Sequence, residues 1–170
     1  MLRKSCTLAT LLLLAACSGC APATLPQPTE DLSGLSPEAI TTLRSLEKVS
    51  DYPLYVMHAA SGTIDPGMGW IQPQGSGFSC SLFATLGQTG DKLYGRNFDW
   101  EFSPALLLFT DPPDGYATVS MVDLTFLGID AATAMSLTSL PLAERTDLLQ
   151  AASMPFDGMN EYGLAIAMAA

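Results

Sequence analysis

The sequence predicts a mixed α+β fold, and three observations lead to this prediction. Residues 81–86 and 92–99 are two strand-like runs on either side of a loop with two glycines and an aspartate, which is typical of a β-hairpin. Ser36-Pro37-Glu38 predicts a helix start, because a capping serine, a first-turn proline and an acid near the positive end occur together. Residues 105–110 form a continuous apolar run that favours a buried strand.

Further candidate elements continue this α+β pattern. Residues 52–59, 116–124 and 164–169 favour strands, and residues 142–152 favour a helix. Residues 130–140 are ambiguous, whereas residues 61–79 favour a glycine-rich loop and residues 155–158 a turn. The first helix is expected to present an apolar stripe of Ile40, Leu43, Leu46 and Val49.

The composition is that of an acidic chain able to build a hydrophobic core. Its 170 residues suit one domain, or one domain behind a leader, and its net charge of -10 argues against nucleic acids and anionic membrane surfaces as electrostatic partners. No run after residue 20 approaches the roughly 18 apolar residues of a membrane-spanning helix. With His58 as the single histidine and no paired CxxC motifs, the sequence predicts neither a metal site nor a cofactor.

Residues 1–17 are predicted to be a lipoprotein signal peptide. Arg3 and Lys4 precede a short apolar run, as in secretory signals. Leu14-Ala15-Ala16-Cys17 resembles the bacterial lipoprotein box, in which the cysteine is lipidated and becomes the new N-terminus. Cys17 is therefore the expected lipidation site. The expected location is the bacterial cell envelope, lipid-anchored at the periplasmic face or in the outer membrane. The alternative is an ordinary secretory signal in which Cys17 has no role.

The hairpin is expected to bring three chemically useful side chains to one end of a two-stranded ribbon. With the loop centred at residue 89, residues lie opposite each other when their numbers sum to about 178. Cys80 then faces Phe98, and Arg96 faces Leu82. A thiol, a guanidinium and a carboxylate (Cys80, Arg96 and Asp99) are thereby predicted to cluster.

Three short motifs occur in a fixed order and suggest a family. They are Cys80-Ser81, then Gly-Arg-Asn-Phe-Asp-Trp at 95–100, then Asp-Gly-Met-Asn-Glu-Tyr-Gly-Leu-Ala at 157–165. Together they resemble the N-terminal-nucleophile hydrolases of linear amides, the group of choloylglycine hydrolase, penicillin V acylase and acid-ceramidase-like enzymes. The resemblance covers residues 80–170 and implies an αββα four-layer sandwich that is incomplete in this chain.

Composition and the resemblance together predict a division of the chain. Residues 18–35, rich in Pro, Ser, Thr and Ala, are expected to be a flexible tether. Residues 36–79 would be a pro-segment, and residues 80–170 the N-terminal part of the hydrolase domain. The protein would cut its own Ser79–Cys80 bond and so free an α-amino group. Cleaved chains would be held together without a covalent bond, and mild denaturant is expected to release the Cys80 chain from a lipidated pro-segment.

The chemistry implied by the resemblance needs no histidine. A thiol titrates near pH 8.5 and an α-amine near 7.7–8.0, so the amine of an N-terminal cysteine can act as base for its own thiol. Arg96 would favour the thiolate, and Asp99 would orient the amine. Asn160 and Trp100 are expected to shape the substrate pocket. The oxyanion donor is expected at position 170, where Ala stands, so a backbone N–H replaces it or activity is impaired.

Each assignment has an alternative. Cys80 could be a small buried side chain, Arg96 and Asp99 a simple ion pair, and residues 157–161 a turn. The methionines at 121, 135, 154, 159 and 168 could belong to the core or to an acyl-chain pocket. The expected partner is a small-molecule amide with an apolar acyl group. An acyltransferase using the same acyl-enzyme and a non-catalytic envelope lipoprotein that retains part of the fold are the alternative functions.

Overall fold

A computed structural model describes residues 30–61, 63, 79–88, 90–99 and 102–168. These residues form a sheet-rich α+β structure with few helices, which confirms the predicted fold class at this level. The predicted signal peptide, most of the tether and most of the loop at 61–79 lie outside the described residues. No helix in the described part of the chain is long and apolar enough to cross a membrane.

Within the described residues, eight strands form two separate sheets. In chain order they are β1 (Glu47–Lys48), β2 (Leu54–Ala59), β3 (Ser79–Leu86), β4 (Lys92–Asp99), β5 (Ala105–Thr110), β6 (Thr118–Asp123), β7 (Asp157–Asn160) and β8 (Ala165–Ala167). Six of them form one sheet in the order β1-β2-β5-β6-β7-β8, and β3 with β4 forms the predicted hairpin. The β2–β5 pair is parallel, and the other pairs are antiparallel.

The first helix forms where the sequence predicts it. Helix α1 (Pro37–Arg44) begins after Ser36, whose Oγ accepts a hydrogen bond from the Ala39 N–H at 3.1 Å. The apolar stripe is only partly confirmed. Leu43 is fully buried, but Val49 is 46 % exposed because the helix ends five residues before it.

The other helical segments are one further α-helix and three 3-10 segments. Helix α2 (Ala131–Met135) occupies part of the ambiguous region, and 3-10 segments span Leu124–Leu127, Leu137–Ser139 and Leu142–Ser153. The helix predicted at 142–152 is therefore a 3-10 segment, although Leu148 is fully buried and Leu149 packs against the core as expected.

One face of the large sheet packs against the helical segments to form the core. Alternate residues of β2 and β5 point into it, including Tyr55, Leu106 and Leu108, none of which is more than 1 % exposed. The Tyr55 hydroxyl donates a hydrogen bond to the Ala134 carbonyl at 2.7 Å, so the one polar atom of this buried ring is satisfied.

The predicted pro-segment is part of this core. Strand β2 lies between β1 and β5 and pairs with β5 along all six residues, from Leu54↔Ala105 to Ala59↔Thr110. At the start of the described chain, Glu30 Oε1 accepts a hydrogen bond from the Ala143 N–H at 2.8 Å. Residues before Cys80 therefore complete the sheet and cap a helical segment that follows it.

The predicted turn at 155–158 is wrong for its last two residues. Asp157 begins β7, which pairs with β6 through Met121↔Asp157 and with β8 through Asp157↔Ala167. Glycine suits this strand because a Cβ on Gly158 would lie 3.1 Å from the Val119 carbonyl oxygen. The glycine therefore permits close strand packing here.

Candidate active site

The hairpin places Cys80 and Arg96 as the predicted register requires. Ser79 pairs with Asp99, Cys80 with Phe98, and Leu82 with Arg96. Because neighbouring strand residues alternate between faces, Cys80 and Arg96 share one face of the hairpin. This confirms the predicted register and brings the thiol and the guanidinium together.

Arg96 connects the hairpin to the large sheet. Its side chain is only 6 % exposed, and its Nη1 lies 3.0 Å from Asp157 Oδ2. Its Nη2 donates to the Met168 carbonyl at 2.9 Å and lies 3.7 Å from the Cys80 sulfur. The guanidinium also lies 4.6 Å from the centre of the Phe98 ring, which adds a cation–π contact. The guanidinium is thus held from several directions while one nitrogen meets the thiol.

Asp157 is the site residue that the sequence analysis missed. The sequence predicts a turn at this position, but the half-buried carboxylate of Asp157 is the ion-pair partner of Arg96. Burial raises the pKa of Asp157 above its ordinary value, although the positive charge of Arg96 acts in the opposite direction. No local pattern in the sequence indicates this contact, because Arg96 and Asp157 are 61 residues apart and only the assembled strands bring them together.

Asp99 lies near Cys80 in the ladder but not at the thiol. Its side chain is exposed and accepts a hydrogen bond from Asn97 Nδ2 at 3.1 Å. An ion pair between Arg96 and Asp99, one of the alternatives, is not what the structure shows, because Arg96 pairs with Asp157. Asp99 is opposite Ser79, however, and so lies across from the bond predicted to be cut.

Asn160 organises a turn between β7 and β8. Its Oδ1 accepts hydrogen bonds from the Tyr162 N–H at 3.1 Å and the Leu164 N–H at 3.0 Å. Gly163 supports the same turn with a φ of 80°. The side-chain oxygen of Asn160 is therefore engaged within the turn. Trp100, Cys17 and Ala170 lie outside the described residues, and Ser79 is described only as backbone.

A cleft of about 660 Å³ lies beside the two residues that accept hydrogen bonds from Arg96. Asp157 and Met168, which both contact Arg96, are among its lining residues, whereas Cys80 and Arg96 are not. Asn160 and Met159 line it as well, so two of the five methionines border a cleft. Of the others, Met154 packs against the core and Met135 is 48 % exposed, which contradicts a core position for Met135.

Two buried hydrogen-bond donors of β4 have no partner among the described residues. They are the Tyr94 hydroxyl and the Arg96 Nε. Burial, and after it the negative charge of Asp157, raise the pKa of Tyr94, against the effect of Arg96. Tyr94 therefore belongs to the same electrostatic cluster as Arg96 and Asp157.

The described residues contain no group of three or more His, Cys, Asp or Glu side chains that could hold a metal ion. Comparisons of the chain with known protein families, curated proteins and solved structures found no match.

Proposed function

We propose that this chain is a self-processed hydrolase of linear amides with Cys80 as its N-terminal nucleophile. The observation that carries this proposal is the guanidinium of Arg96 held 3.7 Å from the Cys80 sulfur. A nearby fixed cation stabilises a thiolate, and the thiolate is the reactive form of cysteine. Cys80 is also only partly buried, so a reagent can reach it.

The position of Cys80 in its strand supports cleavage before it. Strand β3 begins at Ser79, so cutting the Ser79–Cys80 bond removes only the terminal Ser79↔Asp99 pair from the hairpin. The rest of the ladder keeps Cys80 beside Arg96. The new α-amine would form across from Asp99, whose carboxylate would orient it and stabilise its ammonium form.

In the proposed reaction, the Cys80 sulfur attacks the amide carbonyl carbon while the α-amine takes up the thiol proton. The same proton passes to the leaving nitrogen, the C–N bond breaks, and a thioester remains on Cys80. Water then attacks the thioester with the amine again as base, which releases the carboxylic acid and restores the thiol. An acyltransferase would use the same thioester with another acceptor in place of water.

The finer fold assignment belongs to the same proposal. We infer an N-terminal-nucleophile αββα sandwich, of which the large sheet with its helical face would supply one half. The separate hairpin would belong to the second sheet. Phe83 and Leu93 support this, because both lie on the hairpin face away from Arg96 and are 61 % exposed, as expected where a further layer packs.

The proposed substrate is a small amide with an apolar acyl group, and the proposed location is the cell envelope, with a lipid anchor on Cys17. One observation favours the second candidate, a non-catalytic envelope lipoprotein. The resemblance expects the side-chain donor of the oxyanion site at position 170, and this sequence has Ala there.

Intact-mass analysis of the full-length protein and of C80A tests the proposal. We expect the wild type to separate into two chains at Ser79–Cys80 and C80A to remain whole. A thiol-reactive acyl probe should then label Cys80 of the cleaved protein. If both proteins remain uncleaved and Cys80 takes no label, the non-catalytic lipoprotein is favoured.

A further inference from the structure

We propose that Asp157 is a positioning residue that holds the Arg96 guanidinium against the Cys80 thiol. This inference rests on the proposed role of Cys80 as nucleophile. It assigns a function to a residue of β7 that touches neither the thiol nor the bond to be cut, and it makes the site depend on both sheets.

The burial of Arg96 is the first reason. With a side chain only 6 % exposed, its charge needs a counter-ion, since an unpaired buried charge is strongly unfavourable. In the described part of the chain, Asp157 is the acid that forms an ion pair with it. The exposed Asp99 does not serve this purpose, although it is closer in sequence.

The rigidity of the support is the second reason. Asp157 is held in β7 between two strands, with Met121 of β6 on one side and Ala167 of β8 on the other. The Met168 carbonyl, just after β8, accepts a second hydrogen bond from the guanidinium. Because a guanidinium is a planar fork, fixing Nη1 on Asp157 and Nη2 on Met168 also fixes its approach to the sulfur.

A purely structural ion pair and a positioning ion pair are expected to differ in their effect on the reactivity of the Cys80 thiol. Removing one partner of a buried ion pair destabilises the fold whether or not the pair also positions a reactive group, so a stability measurement alone does not identify a positioning role. The reactivity of the thiol does, because iodoacetamide reacts with the thiolate and the rate reports how well Arg96 supports it. This readout needs no substrate turnover.

The experiment measures the alkylation rate of Cys80 by iodoacetamide in the full-length protein at pH 7. Peptide mass spectrometry assigns the label to Cys80, and cleaved and uncleaved chains are quantified separately. We expect D157N and R96Q each to lower the rate about tenfold, and D157E to give an intermediate rate. D114N, which changes an acid in an exposed turn, is the matched control and should react like the wild type.

A double-mutant cycle identifies how Asp157 acts. If it acts through Arg96, the rate of D157N/R96Q should equal that of R96Q alone. Independent, multiplying effects of the two changes, or a wild-type rate in folded D157N, would overturn the inference. If D157N or R96Q fails to fold, D157E decides, because it keeps the charge but displaces the carboxylate by about one methylene. A wild-type rate in D157E then overturns the inference, and a reduced rate supports it.

The two proposals can fail separately. A lower alkylation rate in D157N without amide hydrolysis by the wild type would support the positioning role and refute the hydrolase. Amide hydrolysis by the wild type with an unchanged alkylation rate in D157N would do the reverse.

Discussion

If the chain is cut before Cys80 as proposed, urea should release the Cys80 chain from residues 36–79, the predicted pro-segment, only at the concentration at which the whole protein unfolds. The sequence alone favoured release by mild denaturant, but the structure changes that expectation. Leu43, Tyr55 and Met57 of the predicted pro-segment are each at most 1 % exposed. Burial of one such side chain contributes about 1.5–3 kcal/mol, so the three contribute roughly 5–9 kcal/mol. This is comparable to the entire stability of a domain, about 5–15 kcal/mol.

The assay immobilises the protein through its N-terminal segment after cleavage. If the chain does not cut itself, a protease site introduced within residues 64–78 provides the same break. Increasing urea is applied, and the eluted Cys80 chain is compared with the loss of circular dichroism in solution. We expect the two midpoints to coincide, because β2 lies inside the sheet between β1 and β5.

The matched variant is M57A, which removes a buried contact of β2. It should lower the free energy of unfolding by about 2–5 kcal/mol and shift both midpoints together. Elution of the Cys80 chain at a urea concentration that leaves the circular dichroism intact would refute the reasoning. It would show that residues 36–79 can dissociate from the Cys80 chain without global unfolding.

Three further predictions concern stability. Burial raises the pKa of Asp157 in the folded state, so protonation of this carboxyl favours the folded over the unfolded state. In urea titrations, the free energy of unfolding of the wild type relative to that of D157N should therefore fall as the pH rises through and above about 4. A rise in this difference with pH would contradict the raised pKa. G158A should lower the free energy of unfolding by about 1–3 kcal/mol, because its Cβ would press on the Val119 carbonyl, whereas G34A has open space and serves as control; equal melting temperatures for the two would refute the close approach. S36A should cost about 0.5–2 kcal/mol through loss of the helix cap, and an unchanged chemical-denaturation midpoint would show that the cap contributes nothing.

The parts of the fold that local sequence determines could be predicted. The register of the hairpin follows from its loop, so the sequence correctly predicts the pairing of Cys80 with Phe98. The start of α1 follows from its capping serine and proline in the same way. In both cases the determining residues lie within one loop or one helical turn.

The rest depends on contacts between distant residues. Arg96 and Asp157 are 61 residues apart, and no local pattern specifies that their strands meet. Asp99 was an attractive partner because it is only three residues from Arg96, but an odd separation along a strand places two side chains on opposite faces. The insertion of β2 beside β5 is equally non-local, since an apolar run does not reveal its neighbour in a sheet.

The distance between Arg96 and Asp157 in the chain has a consequence for when the site becomes reactive. A hairpin with local contacts forms in about 1–10 μs, whereas sheets built from distant strands assemble over milliseconds to seconds. The Cys80 thiol therefore lacks a fixed Arg96 guanidinium beside it until β7 and β8 have joined β6. In the proposed mechanism, self-cleavage is then favoured only in chains in which Asp157 and Met168 have already met Arg96. The ion pair would therefore couple the reactivity of Cys80 to the assembly of β7 and β8 onto β6.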